Sequence, residues 1–345
     1  MRRDQPLDRI AEAGADTARI AQTTVLVKLA ERPGCPIHAH PAWALCRALR
    51  AAGFGSLHVR GSMDYFDDLD SLLRWDDSQE PGAWFSDAVA RMAPRSDIII
   101  DVSNDVSSRA RSLSLKKRWS ADRVCVAWDS ARVSVSATAD STVGFPRRAP
   151  DQRTATPMTC RLAAGLALSE ALFTAGRWNN VAPLAHPVVY DAASPTRTGT
   201  DTVPSWPKAP VDGTVIDVIG AGGSGTNLLE ALVPALGPGS TLRIFDADTV
   251  ADENLATQPA FGREDLGLPK ADAIAARLAA LSPGGPDIVP FPIRYEEAAP
   301  NLSPPSLRIT CPDSFAARAY VNSLCTQDGV PLADAGTAPL AAQVR

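Results

Sequence analysis

Lysine is scarce in this chain. Of its 34 basic residues only Lys28, Lys116, Lys117, Lys208 and Lys270 are lysines, so a lysine inside a motif stands out. An excess of basic charge is also missing. The 39 acidic residues leave a net charge of −5 and a pI near 5.5, which argues against a nucleic-acid-binding surface spread over the whole protein. No apolar run approaches the about 18 residues of a membrane span. The N-terminus MRRDQPLDRIAEAGADTARI lacks the apolar segment of a secretory signal. The six cysteines, at positions 35, 46, 125, 160, 311 and 325, never stand as C-x-x-C, which excludes both a disulfide framework and a four-cysteine zinc site. The expected setting is therefore the reducing cytoplasm, without a nucleic-acid or membrane partner.

What is present is ordinary for a globular chain: 45% hydrophobic and 21% charged residues over 345 positions, enough for two domains at about 150 residues each. Residues 1–22 have the spacing of one amphipathic helix. β-branched or apolar runs predict strands at 23–30, 55–61, 96–103, 124–130 and 131–137, and helices are expected at 41–53 and 159–176. Residues 183–213 are rich in Pro, Ser, Thr and Gly without periodicity and read as a linker. Beyond it, 214–237 reads as strand, glycine turn and helix. Strands follow at 240–248, 287–294, 306–313 and 331–336, with helices at 270–281 and 314–329. This alternation predicts an α/β, Rossmann-like, mostly parallel sheet with flanking helices. The expected organisation is a first domain over 1–182, the linker, and a second domain over 214–345.

The two halves also align with each other. IIDVSNDVSSRARSLSL (99–115) lies over RITCPDSFAARAYVNSL (308–324), and AGFGSLHVRGSMD (52–64) over LGPGSTLRIFDAD (236–248). In that alignment Asn104 falls on Asp313. The expectation is one fold written as two pseudo-symmetric copies, the first having lost its glycines and acids. Only the second would then bind nucleotide.

Gly220, Gly222, Gly223 and Gly225 stand between a β-branched strand and an apolar helix, where backbone N–H groups and the helix N-terminus can face a phosphate. Asp246, 21 residues past the last glycine and at the end of the next strand, is placed to accept from ribose hydroxyls. By themselves these residues fit NAD, FAD or ATP equally. His38 and His40 have a metal-pair spacing with no evident third ligand. The acidic run 63–70 and the basic stretch 147–153 read as solvated loops.

The stretch after Asp246 narrows the choice. DADTVADENLATQPAFGREDLGLPK, followed by a strand ending in Asp313 before Arg318 and Asn322, resembles the ThiF/MoeB/ubiquitin-activating enzyme family of adenylyltransferases. The matching positions are the four glycines, Asp246, Asp248, Val250, Asn254, Gln258, Asp265, Gly267, Lys270, Asp313, Arg318 and Asn322. The resemblance implies ATP and Mg²⁺ as cofactors. It also implies a small ubiquitin-like or sulfur-carrier protein whose C-terminal carboxylate is adenylated. It assigns nucleotide binding to the glycines, Asp246, Asp248, Asn254, Gln258 and Lys270, catalysis to Lys270 and Asp313, and the metal to Asp313. Arg318 and Asn322 are expected to be structural. The bland alternatives are a solvated Lys270 at a helix start and an Asp313 that caps the following helix.

Two departures accompany the resemblance. Thr257 stands where the family has an arginine, leaving Arg263, or Arg9 and Arg19 from the first half, as substitutes. Only 32 residues follow Asp313, with Cys325 as their sole cysteine, so the second copy reads as C-terminally truncated and Cys325 as a core residue. The competing functions are an NAD(P)-dependent oxidoreductase and a catalytically impaired scaffold of the same family. The fused copies imply a pseudo-dimer within one chain.

Overall fold

The computed structural model describes residues 11, 14–28, 41–60, 95–102, 106–128, 132–137, 157–176, 188–191, 212–258, 260–338 and 341–344. It divides into two compact units, residues 3–206 and 207–345. Among the described residues, no helix is long and apolar enough to cross a membrane.

In the first unit six strands form one sheet in the order β2-β1-β3-β4-β5-β6. They are β1 Thr24–Lys28, β2 Ser56–Arg60, β3 Ile98–Asp101, β4 Asp122–Trp128, β5 Arg132–Ser136 and β6 Val188–Asp191. The first four are mutually parallel, and β5 runs antiparallel to both its neighbours. The flanking helices are α1 Thr17–Gln22, α2 Pro41–Ala51, α3 Val106–Trp119 and α4 Pro157–Gly176. β1 and β3 are buried almost throughout, as strands covered on both faces must be. One charge cluster lies inside: Ser112 donates to Asp101, Arg123 Nε donates to the Ser112 hydroxyl at 2.9 Å, and Arg123 pairs with Asp101 at 3.5 Å.

Two expectations for this unit are corrected. Residues 1–22 are not one helix: Gly14 has φ +91° and residues 15–16 are non-helical, so Asp16 caps a separate α1 by accepting from Arg19 N at 3.0 Å. The stretch 183–213 is not linker throughout, because Val188–Asp191 pairs with β5 as the edge strand. Four residues are too few to show a periodicity. His38, His40, Arg9 and the stretches 63–70 and 147–153 lie outside the described residues.

The second unit has its own six-stranded sheet, β12-β11-β10-β7-β8-β9. Its strands are β7 Val215–Ile219, β8 Thr241–Phe245, β9 Asp287–Phe291, β10 Leu307–Thr310, β11 Leu332–Ala338 and β12 Ala341–Val344. All are parallel except β12, which turns back on β11. The helices are α5 Gly223–Leu232, α6 Asn254–Thr257, α7 Lys270–Leu281, α8 Tyr295–Ala298 and α9 Phe315–Asp328. This is the α/β, parallel-dominated fold that the alternation of elements implies. The strand order reverses between β7 and β10, and in such open sheets ligands sit outside the C-terminal ends of the strands at that point.

The core on one face is Ile219, Phe245, Tyr295, Val321 and Cys325. Phe245 stacks on Phe291 with centroids 4.6 Å apart and meets Tyr295 edge-on at 4.7 Å. Cys325 is thus the core residue expected of it. A charged row crosses the same sheet: Arg308, Asp217 and Arg243 are register partners on β10, β7 and β8. Arg243 Nε donates to Asp217 at 2.5 Å, Tyr295 OH donates to Asp217 at 2.8 Å, and Arg308 Nε donates to the Tyr295 oxygen at 2.8 Å. Burial pushes the Asp217 carboxyl upward, and the bonds from Arg243 and Tyr295 oppose that shift.

Candidate functional site

The turn after β7 is built by two glycines that geometry requires. Gly220 has φ +98°, and a Cβ on it would lie 2.9 Å from Pro312 N. A Cβ on Gly225 would lie 1.9 Å from the Gly220 carbonyl oxygen, so only glycine lets the first turn of α5 approach the strand end so closely. Gly222 and Gly223 differ. A Cβ on Gly222 meets nothing within 4 Å, and one on Gly223 meets only the Thr257 carbonyl at 3.4 Å and Gln258 Cγ at 4.0 Å. Gly222 is also the N-cap of α5, with no side chain to accept from the helix's first amides. The result is a backbone concavity with free N–H donors at a helix N-terminus, which suits an anion.

Asp246, at the end of β8, grips this turn. It accepts from Ala221 N at 2.7 Å on one oxygen and from Asp248 N at 2.9 Å on the other. Burial pushes its carboxyl upward, and the two backbone donors oppose the shift. Each oxygen keeps a lone pair for a further donor.

Lys270 is buried, its side chain only 8% exposed, and Nζ donates to Asp248 at 2.9 Å. Its backbone N–H also donates to the Asp248 carbonyl, at 2.9 Å. The solvated-lysine reading is overturned. An ammonium buried at the start of α7 opposes the helix dipole and loses hydration, and Asp248 offsets that. The Asp248 side chain itself is 73% exposed.

Asn254 opens α6, its Oδ1 accepting from Ala251 N at 2.9 Å. Gln258 follows α6 and lies against Gly223, and its buried Oε1 has no hydrogen-bond partner. A buried amide oxygen left unmatched is costly, and this one sits beside the concavity. Thr257 offers no cation there. Arg263 lies exposed in a single 3₁₀ turn, Arg263–Asp265. Arg19 is half-buried in the first unit.

Asp313 occupies the loop after β10, exposed, with no side-chain hydrogen bond or ion pair among the described residues. Its capping reading is overturned too. Ser314 is the N-cap of α9 and accepts from Ala317 N at 3.3 Å, which leaves the Asp313 carboxylate free. An exposed acceptor-only oxygen pair is a ligand type for a hard divalent cation. Asn322 is exposed on α9. Beneath the turn, Cys311 is buried, and burial pushes its thiol up to about 11, so it stays a neutral packing group at ordinary pH.

Sequence reasoning did not anticipate the Asp246 grip on Ala221, the Lys270–Asp248 pair or the ties of Arg318. The Arg308–Asp217–Arg243 row carried a signal, since each is a lone charge inside an apolar strand run.

Against known families, residues 213–345 match the model of the ThiF family. The second unit is a ThiF-family domain. Several curated relatives match by sequence, among them one each from human, Thermus thermophilus and Haloferax volcanii. Human ubiquitin-like modifier-activating enzyme 7 is 35% identical over 137 residues, 35% of this chain and 13% of that protein. The sulfur carrier protein adenylyltransferase of Thermus thermophilus is 37% identical over 117 residues, 33% of this chain and 42% of its own length. The SAMP-activating enzyme E1 of Haloferax volcanii is 31% identical over 119 residues, 33% of this chain and 42% of its own. The chain therefore spans under half the length of each of these relatives. The ThiF domain of this chain contains all of the glycine turn, Asp246, Asp248, Asn254, Gln258, Lys270 and Asp313.

Proposed function

We propose that this protein adenylates the C-terminal carboxylate of a small ubiquitin-like or sulfur-carrier protein, using ATP and Mg²⁺. The observation that carries the reading is the pairing of an unobstructed backbone concavity at Gly222 with a buried lysine and an unpartnered acid on neighbouring loops. A hydride-transfer site needs neither Lys270 nor Asp313. The ThiF match and the names of the curated relatives support the same class.

In the proposed reaction a carboxylate oxygen of the carrier protein attacks the α-phosphorus of ATP. The bond between that phosphorus and the oxygen bridging to the β-phosphate breaks, and pyrophosphate leaves with the electron pair. Negative charge thus moves from the attacking to the leaving side. The amides of the α5 N-terminus hold phosphate oxygens, and Asp246 accepts from ribose hydroxyls while fixing the turn. Lys270 exchanges its bond to Asp248 for one to phosphate, neutralising charge as it shifts. Asn254 and Gln258 offer amide N–H donors over the same concavity. Magnesium, held by Asp313, would screen the phosphates from the incoming carboxylate. A protein partner also fits the surface. Among the described residues the exposed large hydrophobics are Leu266, Leu268, Ile293 and Phe315. All four lie on segments that follow the C-terminal ends of strands in this domain.

The first unit is read as a degenerate copy of the second. In both sheets the unit's first strand lies between its second strand and a later parallel one. The first unit, however, carries PIHAHP opposite GAGGSG.

The test is ATP–pyrophosphate exchange by the full chain with a carrier protein ending in Gly-Gly. Lys270→Ala and Asp313→Ala are each expected to slow exchange by about 10²–10³-fold, the scale of losing one charge-stabilising group. Exchange at wild-type rate in both variants would remove the assignment. Thr257 favours a second reading, nucleotide held without turnover, which predicts ATP binding and no exchange by the wild-type chain.

A further inference from the structure

Arg318 is half-buried in the first turns of α9 and reaches back toward the sheet. Its Nε donates to the Pro312 carbonyl at 2.9 Å, and one Nη donates to the Ala335 carbonyl at 2.7 Å. The other Nη pairs with the Asp334 carboxylate, which also accepts from the Thr310 hydroxyl. One planar cation therefore joins the loop bearing Asp313, the end of β10, the middle of β11 and helix α9. Pro312 has no N–H, so its carbonyl is the handle by which this stretch of backbone is held. The same stretch forms the floor of the glycine turn: Cys311 N donates to the Ile219 carbonyl at 2.8 Å, and Pro312 N lies 2.9 Å from where a Gly220 Cβ would be.

We propose that Arg318 is a positioning residue, which fixes the Pro312 carbonyl and thereby aims the Asp313 carboxylate at a divalent cation shared with the nucleotide. The inference rests on the nucleotide reading above. Arginine suits the role because its fork presents donors in fixed directions to three acceptors. A lysine ammonium is a single flexible point charge and cannot span them.

The test measures ATP affinity of the full chain by calorimetry, in Mg²⁺ and in EDTA. Arg318→Gln is expected to cut the Mg²⁺-dependent gain in affinity about tenfold, with affinity in EDTA held within about twofold, as for outer partners of a metal ligand. Arg318→Lys is expected between Gln and wild type. Equal changes in both media, or no change in either, would overturn the proposal, since a merely structural role does not distinguish them. If Arg318→Gln does not fold, Asp334→Asn must show the same selective loss, and its failure to do so overturns the proposal. A wild-type chain that binds ATP with no Mg²⁺-dependent gain removes the role of Arg318 and leaves the nucleotide site standing. One that binds no ATP removes both.

Discussion

At the scale of single residues, the four glycines of the turn are not equivalent. Gly225 is required by a contact of 1.9 Å between its would-be Cβ and a backbone oxygen, whereas Gly222 faces open space at ordinary φ −77°. Gly225→Ala is therefore expected to lose about 1–3 kcal/mol of stability in urea unfolding through overpacking. Gly222→Ala is expected to keep the wild-type unfolding midpoint yet bind ATP more weakly, because its methyl group occupies the concavity. A Gly222→Ala variant with full ATP affinity would place the phosphates elsewhere. The glycine spacing was legible in the sequence, but this division of labour was not. It depends on how closely the Gly220 carbonyl folds back on Gly225 five positions on, and on Gly220 itself lying against Pro312, 92 positions away. The same holds for Lys270. Its rarity marked it, while its burial and its pairing with Asp248 follow from the path of the segment between them. Ser314 beside Asp313 shows the converse. Both residue types cap helices, and only backbone geometry decides which one does.

At the scale of elements, sheet and helices hold the site through charges as well as apolar packing. The row Arg308–Asp217–Arg243 lies across three central strands, with Tyr295 bridging and Arg308 extending to Asp328 at 2.5 Å. A buried ion network contributes little net stability against an apolar substitute, but removing one partner strands the others. Asp217→Ala is thus expected to cost about 3–5 kcal/mol, read as a lower urea midpoint. A loss under about 1 kcal/mol would show that water, with Asp328 for Arg308 and the Ser303 carbonyl for Arg243, satisfies the two guanidinium groups. The parallel strands and most long helices of both units were legible because each repeats its pattern over several residues, but α3 was not, its sequence VSSRARSLSLKKRW being mostly Ser, Arg and Lys. The edge strand β6 and the break at Gly14 were not. Four residues carry no period, and a helix-like apolar spacing continues through the glycine that interrupts the backbone.

At the scale of the whole molecule, the two sheets share the position of their first strand and the parallel run beside it, yet differ at their edges. β9 lies beyond β8 in the second unit, while β2 is the edge in the first. The chemistry is distributed less evenly. The glycine turn, the strand-end acid, the buried lysine and the free acid all fall within 220–313. At the first strand's end the first unit instead has the buried Lys28, in register with Asp101 and Arg60. If the first unit is a copy that has lost its phosphate cradle, the full chain binds one ATP per polypeptide. Calorimetric titration with Mg·ATP should then give a stoichiometry of one, and Gly222→Ala, which acts only on the second unit, should weaken that single site. A stoichiometry of two would show that the first unit binds nucleotide without a glycine turn. The assignment of 214–345 as the sole nucleotide-binding domain would then fall.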